Sequence, residues 1–191
     1  MTTRKNYYEL KKNVMQYISM AKGFDGKQLI EILKKHLNKG SSVLELGMGP
    51  GKDLDMLKKD FRVTGSDISA IFLERYIKKN PDADLIYLDA VTLNTKRKFD
   101  CLYSNKVLHH LSTKELKASI KRQKKLLNPN GILFHSFWRG DNEEDYKGLH
   151  FVYYTKDELI NYFGKDYEII DVQLYKEMEP DDSIYIILKN S

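Results

Sequence analysis

Short runs of β-branched and apolar residues recur along the chain: "SVLEL" (42–46), "RVTGS" (62–66), "DLIYL" (84–88), "FDCLYS" (99–104) and "GILFHSF" (131–137). Between and beside them lie stretches with the 3.6-residue apolar spacing of amphipathic helices. Leu29, Leu33 and Leu37 form one stripe, with Asp25 and Gln28 spaced as a capping box ahead of it and Gly40 at its end. Leu116, Ile120, Gln123 and Leu127 form another behind Ser112 and Glu115, and Thr155 with Glu158 opens a short helix that closes near Gly164. A further helix runs from Ser69 to Lys79 and stops at "NP". Strands alternating with helices predict βαβ units and a mostly parallel sheet.

The alternation then breaks. "YEIIDVQLY" (167–175) and "SIYIILK" (183–189) are joined by "KEMEPDD" with no helix between them, which predicts an antiparallel hairpin at the end of the fold. The expected class is α/β, a seven-stranded mostly parallel sheet flanked by helices and finished by a C-terminal antiparallel β-hairpin. Residues 1–191 are read as one domain, with 1–24 as an N-terminal cap segment and 138–154 as an insertion on the substrate side.

With 41% hydrophobic residues over 191 positions, the chain can bury one sizeable core. Its 32 basic and 27 acidic residues leave a formal charge of +5, a mild bias toward acidic partners that falls short of a nucleic-acid arm. The single cysteine, Cys101, excludes an intramolecular disulfide and suits a reducing cytosol. The opening "MTTRKNYYELKKN" is polar, and no run approaches the roughly 18 apolar residues of a spanning helix. The reading is a cytoplasmic protein with no membrane partner.

The chemistry concentrates in "VLELGMGPGKD" (43–53). Gly47, Gly49 and Gly51 permit positive φ and close approach to the backbone where the first strand meets a helix, the place where open parallel sheets bind ligands. A nucleoside-triphosphate loop needs Gly-Lys-Ser/Thr, but Asp53 follows Lys52, and Leu46 stands where the earlier glycine belongs. A dinucleotide fingerprint needs glycine or alanine where Lys52 stands.

Gly-x-Gly-x-Gly with Glu45 before it resembles motif I of the class I S-adenosylmethionine-dependent methyltransferases, whose fold is Rossmann-like. "VTGSDIS" is similar to that family's second strand, which places Asp67 on the cofactor's ribose hydroxyls with Ile68 beside it. "LIYLDAVTL" is similar to its third motif, with Asp89 and Ala90 bordering the adenine. "FDCLYSNKVLHHL" resembles its fourth-strand motif, which sets Asn105 against the cofactor or acceptor. The resemblance implies S-adenosyl-L-methionine as cofactor. The glycine-turn amides would take its carboxylate and Glu45 its ammonium, and a phosphate-free ligand needs no Lys-Ser/Thr pair.

Each residue also has a plainer role: Asp67 can cap the Ser69 helix, Asp89 can be a turn acid, and His109 and His110 can pack or face solvent. As chemistry, His109, His110 and Tyr103 are candidate bases near the acceptor, needed only where the nucleophile carries a proton. His135 reads as a satisfied core or cleft histidine and His150 as a loop residue, and no metal site is expected. Trp138 and Tyr154 in the 138–154 stretch, and Tyr7 or Tyr8 in the opening segment, are candidate acceptor contacts. The favoured activity is methyl transfer by in-line displacement to a small molecule, with a protein side chain second. A nicotinamide-dependent oxidoreductase and a catalytically silent cofactor-binding module are the alternatives from other classes. "SNKV" stands where base methyltransferases carry Asn/Asp-Pro-Pro-aromatic, which argues against nucleic acid as the acceptor.

Overall fold

The computed structural model describes residues 7–190. Seven strands form the main sheet: β1 (Ser42–Leu46), β2 (Arg62–Asp67), β3 (Leu85–Tyr87), β4 (Phe99–Asn105), β5 (Leu127–Trp138), β8 (Glu168–Tyr175) and β9 (Ser183–Lys189), in the order β3-β2-β1-β4-β5-β9-β8. β1 to β5 pair in parallel, while β9 runs antiparallel to both β5 and β8. The helices are α1 (Lys11–Met20), α2 (Lys27–Leu33), α3 (Lys52–Leu57), α4 (Ala70–Ile77), α5 (Thr113–Leu126) and α6 (Lys156–Phe163). No helix among the described residues is long and apolar enough to cross a membrane.

The period-2 alternation of the strands feeds two cores, one on each face of the sheet. Leu44, Leu102, Leu133, Phe137, Ile184 and Ile186 pack on one face against α5 and α6, through Leu116, Ile120, Leu159 and Phe163. Val43, Cys101, Tyr103, Phe134, Tyr185 and Ile187 pack on the other against Leu29, Ile30, Leu33 and Leu57. Runs apolar on both faces are what buried parallel strands require.

Two of the helix starts follow the sequence reading. Ser112 and Glu115 form a complete capping box at α5, and Thr155 and Glu158 form another at α6. The box expected from Asp25 and Gln28 does not form. Asp25 Oδ1 accepts from the Lys27 amide, and the N-cap of α2 is Gly26, whose own amide donates to Asp53 Oδ1 at 2.8 Å. Any larger residue at 26 is excluded, because a Cβ there would lie 2.2 Å from Asp53 Oδ2.

The 138–154 stretch is a further departure, because it is not an irregular loop. β6 (Glu143–Tyr146) and β7 (Leu149–Val152) pair as a separate hairpin, turned at Lys147 and Gly148 with φ of 51° and 86°. Two consecutive positive φ values make the tight turn whose twist suits a hairpin. Alternating polarity is masked here by the acidic run Glu143–Asp145, although Leu149 and Val152 are buried. β5 also starts earlier than the apolar run suggests, at Leu127 rather than Gly131, pairing Phe99 with Leu127 before an irregularity in register.

Candidate functional site

The sheet order places β1 next to β4, with β2 and β3 leading away on one side and β5 on the other. This switch point opens a crevice at the carboxyl ends of the strands. Two adjoining cavities lie there. The smaller, about 70 Å³, is lined by Gly47, Gly49, Asp67, Ile68, Asp89 and Ala90 with Tyr8, Tyr17 and Phe72. The larger, about 250 Å³, continues past Glu45, Asp53 and Asn105 to Lys106, His109, Trp138, the β6–β7 hairpin and Glu177.

The glycine turn joins them. Gly47, Gly49 and Gly51 all have positive φ, at 66°, 50° and 88°. Gly51 could carry no side chain, since a Cβ would meet the Tyr76 ring at 2.3 Å. Asp67, at the tip of β2, is buried and accepts from the Gly49 amide through Oδ2 and the Ser69 amide through Oδ1, both at 2.8 Å. Capping and ligand binding are therefore compatible, because an ionised carboxylate has about four acceptor positions and these bonds use two. Burial still outweighs the amides and pushes the Asp67 carboxyl up to about 6.

Glu45 is the least compensated group. It is buried at the tip of β1, and its Oε2 has no hydrogen-bond partner among the described residues. Desolvation first, then the nearby Asp53 and Asp67 charges, push its carboxyl well above the usual range. Asp53, absent from the sequence-based candidates, is the better-anchored acid. Beyond Gly26 it accepts from the Tyr103 hydroxyl at 2.9 Å and from Asn105 Nδ2 at 3.1 Å, and Asn105 Oδ1 accepts from Ser136. Three carboxylates at one sheet edge, one with an orphaned oxygen, lack positive charge and fit a ligand that brings it.

Asp89 and Ala90 reach the smaller cavity as expected, Asp89 with Oδ1 accepting from the Val91 amide at 2.6 Å. Behind them runs a buried hydrogen-bond chain. Gln123 Oε1 can only accept, so His135 donates to it from Nε2 and accepts from Ser104 at Nδ1, both at 2.8 Å. Gln123 Nε2 in turn donates to Ser119 at 3.0 Å, and the Ser119 hydroxyl donates to the Ala90 carbonyl at 2.6 Å. Burial holds His135 far below the usual imidazole range, at about 3, so the chain is neutral.

The candidates for chemistry separate. His109 and His110 lie on a short 3₁₀ turn, Leu108–His110, and both line the larger cavity. His109 stacks on Phe151 at 5.3 Å and burial drives its pKa well down, while His110 donates from Nδ1 to the His150 carbonyl. Tyr103, expected as a possible base, is not brought to the cavity wall. Strand alternation turns it into the core beneath the site, where its hydroxyl supports Asp53. Tyr7 and Trp138 do line the larger cavity, but Tyr154 does not, being buried in the core against Phe137 and Tyr162.

Sequence reasoning missed Tyr17, Lys106, Tyr146, Phe151 and Glu177 in the cavity wall. Lys106 follows β4 with φ 55°, and its Nζ donates to the Phe137 carbonyl at 2.9 Å and to Ser183 at 2.5 Å. A non-glycine residue in the left-handed region just past the switch-point strand was a signal no residue type announced.

Residues 43–131, from β1 to the start of the central part of β5, match the family model described as a methyltransferase domain. Over this stretch the chain is similar to the methyltransferase-domain family, and the fold around it is that of S-adenosylmethionine-dependent methyltransferases of known structure. Solved structures with the same fold agree. The 1,6-didemethyltoxoflavin-N1-methyltransferase of Burkholderia thailandensis superposes with a TM-score of 0.80 at 17% identity, over 94% of this chain and 84% of that one. A methyltransferase from Clostridium acetobutylicum gives 0.75 at 16% identity, over 94% and 99%. The N-methyltransferase NodS of Bradyrhizobium japonicum, solved with S-adenosyl-L-homocysteine, gives 0.69 at 17%, over 86% and 84%. A search of curated protein sequences gave no match. The β6–β7 hairpin, which lines the larger cavity, lies outside the matched residues.

Proposed function

We propose that this methyltransferase transfers a methyl group to a small-molecule acceptor held in the larger cavity. The observation that carries the reading is the uncompensated acidic cluster of Glu45, Asp53 and Asp67 around the glycine turn, opening directly into an aromatic-walled cavity. S-adenosylmethionine, when bound, supplies a methyl on a positively charged sulfur, already activated for in-line displacement.

The residues divide the work by chemistry. Asp67 accepts the ribose hydroxyls with Ile68 beside it, Asp89 and Ala90 border the adenine, and the amides of Gly47, Gly49 and Gly51 face the carboxylate. Glu45 receives the ammonium, which gives its Oε2 a partner, and Asn105 keeps Asp53 in register beside it. The remainder of the cavity positions the acceptor and excludes water, with Tyr7 packed beside the turn of the β6–β7 hairpin in its wall. His109 and His110 stand closest in kind to the base role expected of them; burial makes His109 a weak base, and neither of its ring nitrogens has a hydrogen-bond partner among the described residues.

Calorimetry of the purified chain tests this, with S-adenosylmethionine, S-adenosylhomocysteine and reduced nicotinamide dinucleotide as ligands and Asp67→Ala as the comparison. Binding of the first two, weakened in the variant, is the expected result. Binding of the nicotinamide alone, or of nothing, refutes it.

A further inference from the structure

The far end of the larger cavity carries charges that the cofactor assignment leaves unused. Glu177 sits half-buried in the β8–β9 connection, facing Lys106, yet the two do not close to an ion pair within 4 Å among the described residues. Desolvation raises the Glu177 carboxyl, and the charge of Asp53 adds to it, while burial lowers Lys106 to about 7. Lys106 is not a free partner for an anion, since its Nζ already donates to Phe137 and Ser183. Its Nζ also lies 3.7 Å from the centroid of the Trp138 ring, an aromatic face that favours a cation over an anion.

We propose, on the methyltransferase reading above, that the acceptor is a small organic amine, seated beside Trp138 with its nitrogen hydrogen-bonded to Glu177. An anionic acceptor seated against the Glu177 carboxyl would be repelled by it, and a neutral hydroxyl compound would bring it no opposite charge. The mouth suits an amine with an apolar body: Met20, Phe24, Tyr146 and Met178 line the cavity and are 55%, 39%, 49% and 53% exposed. Glu143, Glu144 and Asp145 stand on β6 next to Tyr146, with His150 beside Glu143 and Asp145, and they attract cations toward the entrance.

The proton inventory closes. The amine arrives as R–NH3⁺ and gives one proton to the neutral amine of Lys106, whose ammonium then faces Glu177, Asp182 and the Trp138 ring. The R–NH2 that remains forms the new N–C bond with its electron pair as the sulfur–methyl bond breaks, the product leaves as the methylated ammonium, and Lys106 releases the proton it took to solvent.

The test uses the full chain saturated with S-adenosylhomocysteine, titrated with benzylamine, benzyl alcohol and phenylacetate as probes of one size and three charges. Benzylamine is expected to bind at least tenfold more tightly than benzyl alcohol, with phenylacetate weakest. Glu177→Gln, nearly isosteric, is expected to erase the preference for the amine while leaving affinity for the alcohol and for S-adenosylhomocysteine unchanged. Equal binding of amine and alcohol by the wild type, preference for the carboxylate, no binding of any probe, or an amine preference that survives in the variant would each overturn the inference. Failure of S-adenosylhomocysteine itself to bind shows in the first titration, before any probe is added, and refutes the cofactor reading and the inference with it.

Discussion

Asp67 makes cofactor affinity and apo-protein stability respond to pH in opposite directions. Its carboxyl is raised from 3.8 to about 6, chiefly by burial, against the opposing Ser69 and Gly49 amides. A raised carboxyl contributes stability that is complete below the unfolded value near 3.8 and is lost as pH rises through about 6. Two pK units at 1.36 kcal/mol each make this contribution about 3 kcal/mol. The ribose hydroxyls instead need the ionised form as acceptor. About half of Asp67 is ionised at pH 6 and roughly a tenth at pH 5, so its share of affinity falls about fivefold between the two. Glu45, raised for the same reason, steepens the fall. The assay is calorimetry of S-adenosylhomocysteine from pH 7.5 to 5.0 on wild type and Asp67→Asn, with thermal melts of both apo proteins. Loss of a charge-assisted acceptor of about 1.5–3 kcal/mol makes the variant weaker by ten- to a hundredfold at pH 7.5. The two affinities should converge toward pH 5, while acidification stabilises the apo wild type relative to the variant. An affinity gap that stays constant across the range refutes the argument, because it removes the ionised carboxylate from recognition.

Three further substitutions probe the scaffold. Gly51→Ala forces φ of 88° on an alanine and drives its Cβ into Tyr76, a ring pinned by a 2.6 Å bond to Asp55; a loss of about 2–4 kcal/mol should lower the melting temperature by about 5–12 °C. Tyr103→Phe removes one donor from Asp53 and should cost about 1.5–3 kcal/mol, read as a fall of about 4–8 °C in melting temperature; an unchanged melt would mean the bond to Asp53 carries nothing. His135→Phe leaves Ser104 and Gln123 unpaired in the core, so about 2–4 kcal/mol of stability and a few-fold of S-adenosylhomocysteine affinity should go together, the latter through the loosened Ala90 loop.

What the sequence disclosed and what it hid follow from the range of the interactions. Gly47, Gly49, Gly51 and Asp67 were legible because each answers to its own backbone: a turn needing positive φ, and a strand tip facing the next helix. The strands and helices of the seven-stranded fold were legible for the same reason, since period-2 and period-3.6 patterns are local. The Asp25 capping box did not form because the helix begins one residue later than the pattern suggests: Gly26 is the N-cap, its amide held by Asp53 from 27 positions away, and Asp25 Oδ1 accepts from Lys27 instead. Tyr103 and Tyr154 failed differently. Both have the right chemistry near the right strand ends, but the face each residue occupies turned them into the core.

The acceptor side was the least legible because it is assembled from segments that share no pattern. Lys106 comes from the end of β4, Trp138 from the end of β5, Phe151 from an acidic hairpin with a Lys-Gly turn, and Glu177 from the connection between β8 and β9. Only the sheet order brings them to one cavity, and β9 lying beside β5 is the decisive step. It sets Ser183 opposite Trp138, so the Ser183 hydroxyl holds Lys106 over the Trp138 ring and the Glu177 connection closes across the same end. The antiparallel strand β9 therefore supports the wall of the cavity proposed to hold the acceptor. Ser183→Ala should accordingly loosen Lys106 and weaken amine probes while leaving cofactor affinity intact; equal losses of both would mean that the two ends of the cavity are one structural unit.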